Sequence, residues 1–318
     1  MSLVRSPILT TMKNLFKKSV FLIGALCLIS ACSDEDDNQL KITIVDNNGG
    51  GNTSKPEENS GGGTTTPTSP YVSAIEVPAL ATSDALFVAH EATHGSKKIM
   101  NYCYEFSPST MHTRWVAFRF DAVTRQQTTG RSDEFIDDPQ LPSQYWIGAN
   151  SFSGYSRGHI CASADRLWSS QANKQTFYMS NMSPQLEDFN SGIWADFENK
   201  MRDKCRDATF ADTVYVVKGG TIANDQILGK IVRNGKLMVV PKYYFMAFLR
   251  YRYGSYDAIG IWLEHRGNYS SSDRKNLAQY LVSIDQLEEK TGIDFFHNLS
   301  NDKEQTVEAA FNKSLWGF

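Results

Sequence analysis

The pattern of apolar and polar positions divides the chain into three unlike stretches. An apolar run, Val20–Ile29, follows Lys17 and Lys18 near the start. Residues 38–70 contain GGGN and PEENSGGGTTTPTSP, two runs with almost no side chain able to enter a core. From about Tyr71 onward, periods of strand and helix begin. Arg114–Phe120, RWVAFRF, alternates as a strand does, whereas residues 121–150 carry Gly130, Asp137, Asp138, Pro139 and Pro142 and read as loop. Strands are expected over 153–160 and 176–180, with helices over Ser163–Lys174 and Asn190–Arg206. VYVVKGGTI, 214–222, predicts a strand entering a hairpin. LMVVPKYYFMAFLRYR predicts strands broken at Pro241, and Asp257–Trp262 a further strand. Over 273–289, Leu277, Leu281, Ile284 and Leu287 share one face of a predicted amphipathic helix, and a final helix closes the chain.

The first run is too short to span a bilayer and suits a secretory leader, residues 1–31. It ends LISAC, which resembles the lipobox of bacterial lipoproteins. That resemblance implies cleavage before Cys32 and acylation of Cys32; an ordinary signal peptide that happens to hold a cysteine is the alternative. Ser33-Asp34-Glu35-Asp36-Asp37 reads as a solvated acidic run. It also resembles the surface-export tag of some Gram-negative lipoproteins, implying outer-membrane anchoring, facing either the periplasm or outward. Residues 32–70 cannot bury enough surface to offset their ordering entropy, so a disordered tether is expected. For about 35 flexible residues its reach is roughly 30–35 Å. The folded domain then occupies 71–318.

The formal net charge is −3. The leader is basic and the segment after it acidic, which leaves the folded part close to neutral. That is not the basic footprint usual for a nucleic-acid-binding domain, so such a function requires a local basic cleft. Cys103, Cys161 and Cys205 remain after the leader and Cys32, allowing at most one internal disulfide. The absence of a CxxC pair argues against structural zinc. His90-Glu91-Ala92-Thr93-His94 fits the letters of a zinc-protease helix, but Gly95 follows at once and a third ligand is not evident.

Chemically capable side chains concentrate in 153–206. Arg157, Gly158 and His159 stand together, Asn181 follows in SNMSPQ, and Asn190, Trp194, Glu198 and Arg202 recur every fourth residue. On one straight helix these four form a slowly drifting stripe, with Asn190 and Glu198 about 12 Å apart along the axis. That separation excludes both from holding one ion directly. A base candidate beside an arginine, an amide oxygen and an acid two turns on make a set suited to phosphoryl transfer.

This set resembles the DNA/RNA non-specific endonuclease family, the ββα-metal nucleases. The family pattern DRGH, SNxxPQ, then FN, W, E and R is matched by SRGH at 156–159, SNMSPQ at 180–185, Phe189-Asn190, Trp194, Glu198 and Arg202. Ser156 departs from the usual Asp and cannot supply its charge. The resemblance, placed from about Arg114 to the end, implies an α+β fold: a mixed, mainly antiparallel sheet flanked by helices, with a ββα-metal finger. It implies His159 as general base, Asn190 as direct ligand of one Mg2+ (Mn2+ a substitute) and Glu198 acting on that ion through water. Arg157 and Arg131, the latter in GRSDEFIDDPQLP, become phosphate-binding arginines, and Asn181 and Arg202 supporting residues. DNA and RNA are the implied substrates, cut to 5′-phosphate ends. A tethered binding module without catalysis, or an enzyme for another phosphodiester, are the alternatives; an intact His159, Asn190 and Glu198 set favours catalysis.

Overall fold

Strand-length alternation between residues 86 and 264 builds most of the molecule. The computed structural model describes residues 69–318, so the expected leader, Cys32 and nearly all of the expected tether lie outside the described residues. A 3-10 turn, Pro70–Ser73, precedes β1 (Leu86–His94), β2 (Lys97–Ser107) and β3 (His112–Phe120). Then come β4 (Ser156–His159), α1 (Ser170–Gln175), β5 (Met182–Gln185) and α2 (Ala195–Arg206). β6 (Thr213–Gly220), β7 (Ile227–Arg233), β8 (Lys236–Pro241), β9 (Tyr243–Arg252) and β10 (Ser255–Glu264) follow. The chain closes with α3 (Ser271–Lys275), β11 (Leu281–Val282), α4 (Ile284–Thr291) and α5 (Asn301–Ala309).

Among the described residues these strands form one seven-stranded sheet, in the order β1-β2-β3-β6-β9-β10-β11, and two ribbons, β4-β5 and β7-β8. Every pairing in the large sheet is antiparallel. The expected α+β class, a mainly antiparallel sheet flanked by helices, is the observed one. No described helix is long and apolar enough to cross a membrane.

Period-two alternation gives the sheet two apolar faces. Val116, Phe118, Val216, Met246 and Phe248 face one side, where they join Phe189, Phe197, Met201 and Cys205. Trp115, Ala117, Val217, Phe245 and Leu249 face the other, joining Ile284 and Leu287 of α4 and Val307 of α5. In α2, Phe197, Met201 and Cys205 recur every fourth residue and are buried, each contributing about 1.5–3 kcal/mol or somewhat less for the smaller thiol. Glu198 and Arg202 each stand one position later, so this stripe brings them to the margin of the core.

Several expected boundaries shift. Ser163–Lys174 is not one helix but a 3-10 turn at Ser163–Asp165 and the short α1, capped by the Ser169 side chain. The strand expected at 176–180 lies at 182–185 instead, because a 3-10 turn occupies Met179–Asn181. Helix 190–206 begins only at Ala195. Phe189–Trp194 is a wider π-type turn in which Gly192 leaves helical dihedrals (φ −100°, ψ −116°). The straight stripe from Asn190 to Arg202 therefore does not exist. The helix expected at 273–289 breaks after Asn276 and restarts at Ile284 behind a Ser283–Gln286 capping box. Leu281, Ile284 and Leu287 are buried all the same.

β6 does not enter a hairpin; it pairs with β3 and β9. Its glycines serve close approach: a Cβ on Gly219 would stand 2.5 Å from the Arg114 carbonyl oxygen. The break at Pro241 separates β8 from β9 as expected. Cys103, Cys161 and Cys205 are free and buried. The His90–His94 motif lies on β1, not on a helix, and His90 Nε2 pairs with the buried Asp138 at 2.8 Å. A zinc-protease arrangement is thereby excluded.

Candidate active site

The site grows from the β4-β5 ribbon, where His159 lies opposite Met182 and Arg157 opposite Pro184. Gly158 between them has no room for a side chain, because a Cβ there would collide with Gln185. Strand alternation sends Arg157 and His159 to one face. Asn181 latches the end of β4. Its Oδ1 accepts from the Cys161 amide at 2.8 Å, and its Nδ2 donates to the carbonyls of Cys161 and Thr176 at 2.9 and 2.7 Å. Fully buried and spent on backbone, Asn181 acts by holding its neighbours in place.

His159 is half-buried between two phenylalanines, with its ring edge-on to Phe177 at 4.9 Å and to Phe135 at 6.0 Å. Its Nε2 is enclosed and has no hydrogen-bond partner. Burial first, and then the charge of Arg131, push the imidazole down to about 3. It is therefore neutral at physiological pH and able to accept a proton. The same two phenylalanines carry the arginines: Arg131 lies over Phe177 at 4.8 Å and Arg157 over Phe135 at 3.5 Å. Arg131 is exposed and paired with Asp133 at 2.6 Å; Arg157 donates to the Ala149 carbonyl at 2.6 Å. Each guanidinium keeps further N–H donors beyond these contacts.

Behind His159 lies a buried ionic cluster on α2, β6 and the turn after β4. Lys218 Nζ is 2.8 Å from Asp165 Oδ2 and 3.0 Å from Glu198 Oε1. Arg202 Nε is 2.6 Å from Asp165 Oδ1, and its Nη2 is 3.9 Å from Glu198 Oε2. Burial alone would raise Asp165, but Lys218 and Arg202 outweigh it and hold the carboxyl well below the usual range. Burial likewise opposes the Lys218 charge, yet Asp165 and Glu198 keep its ammonium firmly protonated. Glu198, with longer contacts than Asp165, is raised by burial and by Asp165.

Asn190 stands half-buried on the π-type turn, and its side-chain amide makes no hydrogen bond to a described residue. An uncommitted amide oxygen is a hard donor that fits Mg2+, which prefers few protein ligands and several waters. The Ser156 hydroxyl donates to the Glu187 carboxylate, so a negative charge accompanies position 156 after all. Alternation turns Ser156 away from the face that carries His159.

The structure thus gathers Arg131, Arg157 and His159 about Phe135 and Phe177, and Glu198 and Arg202 about Lys218 and Asp165. Phe135, Phe177, Asp165 and Lys218 escaped the sequence reading. Lys218 left a signal: Val214, Val216 and Lys218 share one inward stripe of β6, so a charge there requires buried partners.

A two-stranded ribbon passing into a helix, with His on the first strand, Asn at the junction and Glu on the helix, is the ββα arrangement of metal-assisted nucleases. A family model described as DNA/RNA non-specific endonuclease matches residues 85–302, and the chain belongs to this family. That match begins some thirty residues ahead of Arg114, taking in β1 and β2. The mitochondrial nuclease EXOG of Xenopus laevis is 28% identical over 222 residues, covering 65% of this chain and 60% of that protein. A nuclease of Nostoc sp. is 31% identical over 218 residues, covering 65% of this chain and 75% of that protein. The chain thus spans less than two thirds of the first relative. In fold, a solved complex of EndoG with EndoGI aligns with a TM-score of 0.54 at 18% identity, covering 75% of this chain and 96% of that one.

Proposed function

We propose that this chain hydrolyses phosphodiester bonds of DNA and RNA without marked sequence preference, giving 5′-phosphate ends. The observation that carries the reading is the enclosed, unpartnered Nε2 of a neutral His159, flanked by Arg131 and Arg157 on the same aromatic pair. His159 takes the proton of the attacking water. Arg131 and Arg157 bind non-bridging phosphate oxygens with planar donors, which favours backbone over base recognition. Phe135 and Phe177 restrict water around the imidazole. Asn190 would hold one Mg2+ (Mn2+ substituting) and Glu198 would orient its waters; when bound, the ion supplies charge neutralisation at the scissile phosphate. Anchoring through an acylated Cys32 at an outer membrane belongs to the same proposal and rests on the LISAC sequence alone.

The experiment is degradation of plasmid DNA and total RNA with Mg2+ or with EDTA, by the wild type and His159→Ala. Metal-dependent loss of both polymers, absent in the variant, is expected. Intact polymers under every divalent metal tried would reject the nuclease reading in favour of binding alone or another phosphodiester.

A further inference from the structure

The sheet face opposite His159 carries a second concentration of carboxylates. α4 presents Asp285 and Glu288, α5 presents Glu304 and Glu308, and Asp294 lies between the two helices. The side-chain oxygens of Asp285, Glu288 and Glu308 lie within 4.8 Å of one another, and so do those of Asp294, Glu304 and Glu308. Glu308 is common to both groups.

This arrangement is unfavourable as it stands. Like charges three or four apart on a helix repel, and Glu308 sits in the last turn of α5, at the negative end of its dipole. Even so, Glu308 is only 7% exposed, and its Oε1 has no hydrogen-bond partner. Lys290 lies over Trp262 and Lys303 over Tyr256. Among the described residues the Phe295 amide donates to the α4 pair, at 2.8 Å from Glu288 Oε1. Burial first, then Glu288, Glu304 and Asp285, push Glu308 up to about 9; burial first pushes Glu288 up to about 7. The buried, unpartnered Glu308 Oε1 beside Asp285 and Glu288 needs either a proton or a cation.

We propose that this face binds one calcium-type divalent cation between α4 and α5, held by Asp285, Glu288 and Glu308. The donors are three carboxylates, more than the one or two that Mg2+ usually takes, whereas Ca2+ accepts six to eight oxygens in flexible geometry. Zinc favours nitrogen and sulfur donors, which this cluster lacks. Ile284, Leu287 and Val307 pack these helices on the face away from Phe197 and Met201, so the site is separate from the proposed catalytic one. A cation bound there fastens α4 and α5 to each other.

The test is calorimetric titration of Ca2+ into the EDTA-stripped full chain carrying Asn190→Ala, which removes the proposed active-site ligand. One Ca2+ per chain and a higher Tm with Ca2+ are expected. Adding Glu308→Gln should weaken binding by at least roughly 100-fold and abolish the Ca2+-dependent rise in Tm. Should that variant fail to fold, Asp285→Asn with Glu288→Gln reads the same loss. No heat and no Tm change at millimolar Ca2+ overturns the proposal, as does binding unaltered by these substitutions. A Tm that rises as pH falls from 9 to 6 but ignores Ca2+ assigns the face to protons and also overturns it. None of these outcomes depends on nuclease activity.

Discussion

Lys218 Nζ lies 3.0 Å from Glu198 Oε1, so one buried ammonium joins the central sheet to the helix that follows the β4-β5 ribbon. The same ammonium reaches Asp165, which Arg202 holds from the other side. Two acids and two bases thereby close a neutral set behind His159.

Lys218→Met should therefore destabilise the fold although Met fits an apolar strand position. Removing one partner leaves buried charge uncompensated, which costs about 3–5 kcal/mol; the low end applies because Arg202 remains on Asp165. Urea unfolding measures it. A loss below about 1 kcal/mol would mean that the cluster is solvated in solution.

The pH dependence of kcat/KM reports the free enzyme. The active form of His159 is the neutral one, and burial with Arg131 holds its pKa down to about 3. Activity on a short oligonucleotide should thus persist well below 6.5 and fall only as the solution approaches that lower value. An acid limb centred at or above 6.5 contradicts the enclosure of the ring.

Arg131→Lys separates binding from folding. The Arg131–Asp133 pair is exposed on both sides and contributes little to stability. Unfolding should stay within about 0.5 kcal/mol of wild type, while KM rises because an ammonium cannot reproduce the planar donor fork. Equal KM for the two proteins would place Arg131 outside the substrate path.

Acid should weaken the fold through two other histidines. His112 bonds Ser183 at 2.7 Å and the Thr113 carbonyl at 2.6 Å; His265 accepts from the Leu186 amide at 2.7 Å and donates to the Pro241 carbonyl at 2.8 Å. Burial lowers both from 6.5 to about 4. Between those values the unfolded chain binds more protons than the folded one. Their stabilisation is complete above 6.5 and is lost as pH falls toward 4, by about 1.4 kcal/mol per pH unit for each group. His265→Gln should flatten this slope by about one proton in urea titrations at several pH values, and an unchanged slope would exclude His265 as a source.

The chemistry of the site was legible in the order SRGH, SNMSPQ, Phe189-Asn190, Glu198 and Arg202, because it depends on which atoms are present. The strands were legible wherever alternation ran through an apolar stripe, as in Arg114–Phe120. Local signals failed where several elements compete over a few residues. Gly192 ends helical geometry between Asn190 and Ala195, and the Ser283–Gln286 box restarts a helix that periodicity ran together. Phe135, Asp165, Phe177 and Lys218 meet their partners only after β4, β6 and α2 dock, since each comes from a different element. Sequence by itself determined the donors, the acids and bases, and the alternating faces of the sheet, for these follow from composition and short-range period. Tertiary structure alone decided which of them are buried, which charges compensate one another, and hence that His159 stays neutral, because desolvation and ion pairing act between segments far apart in the chain.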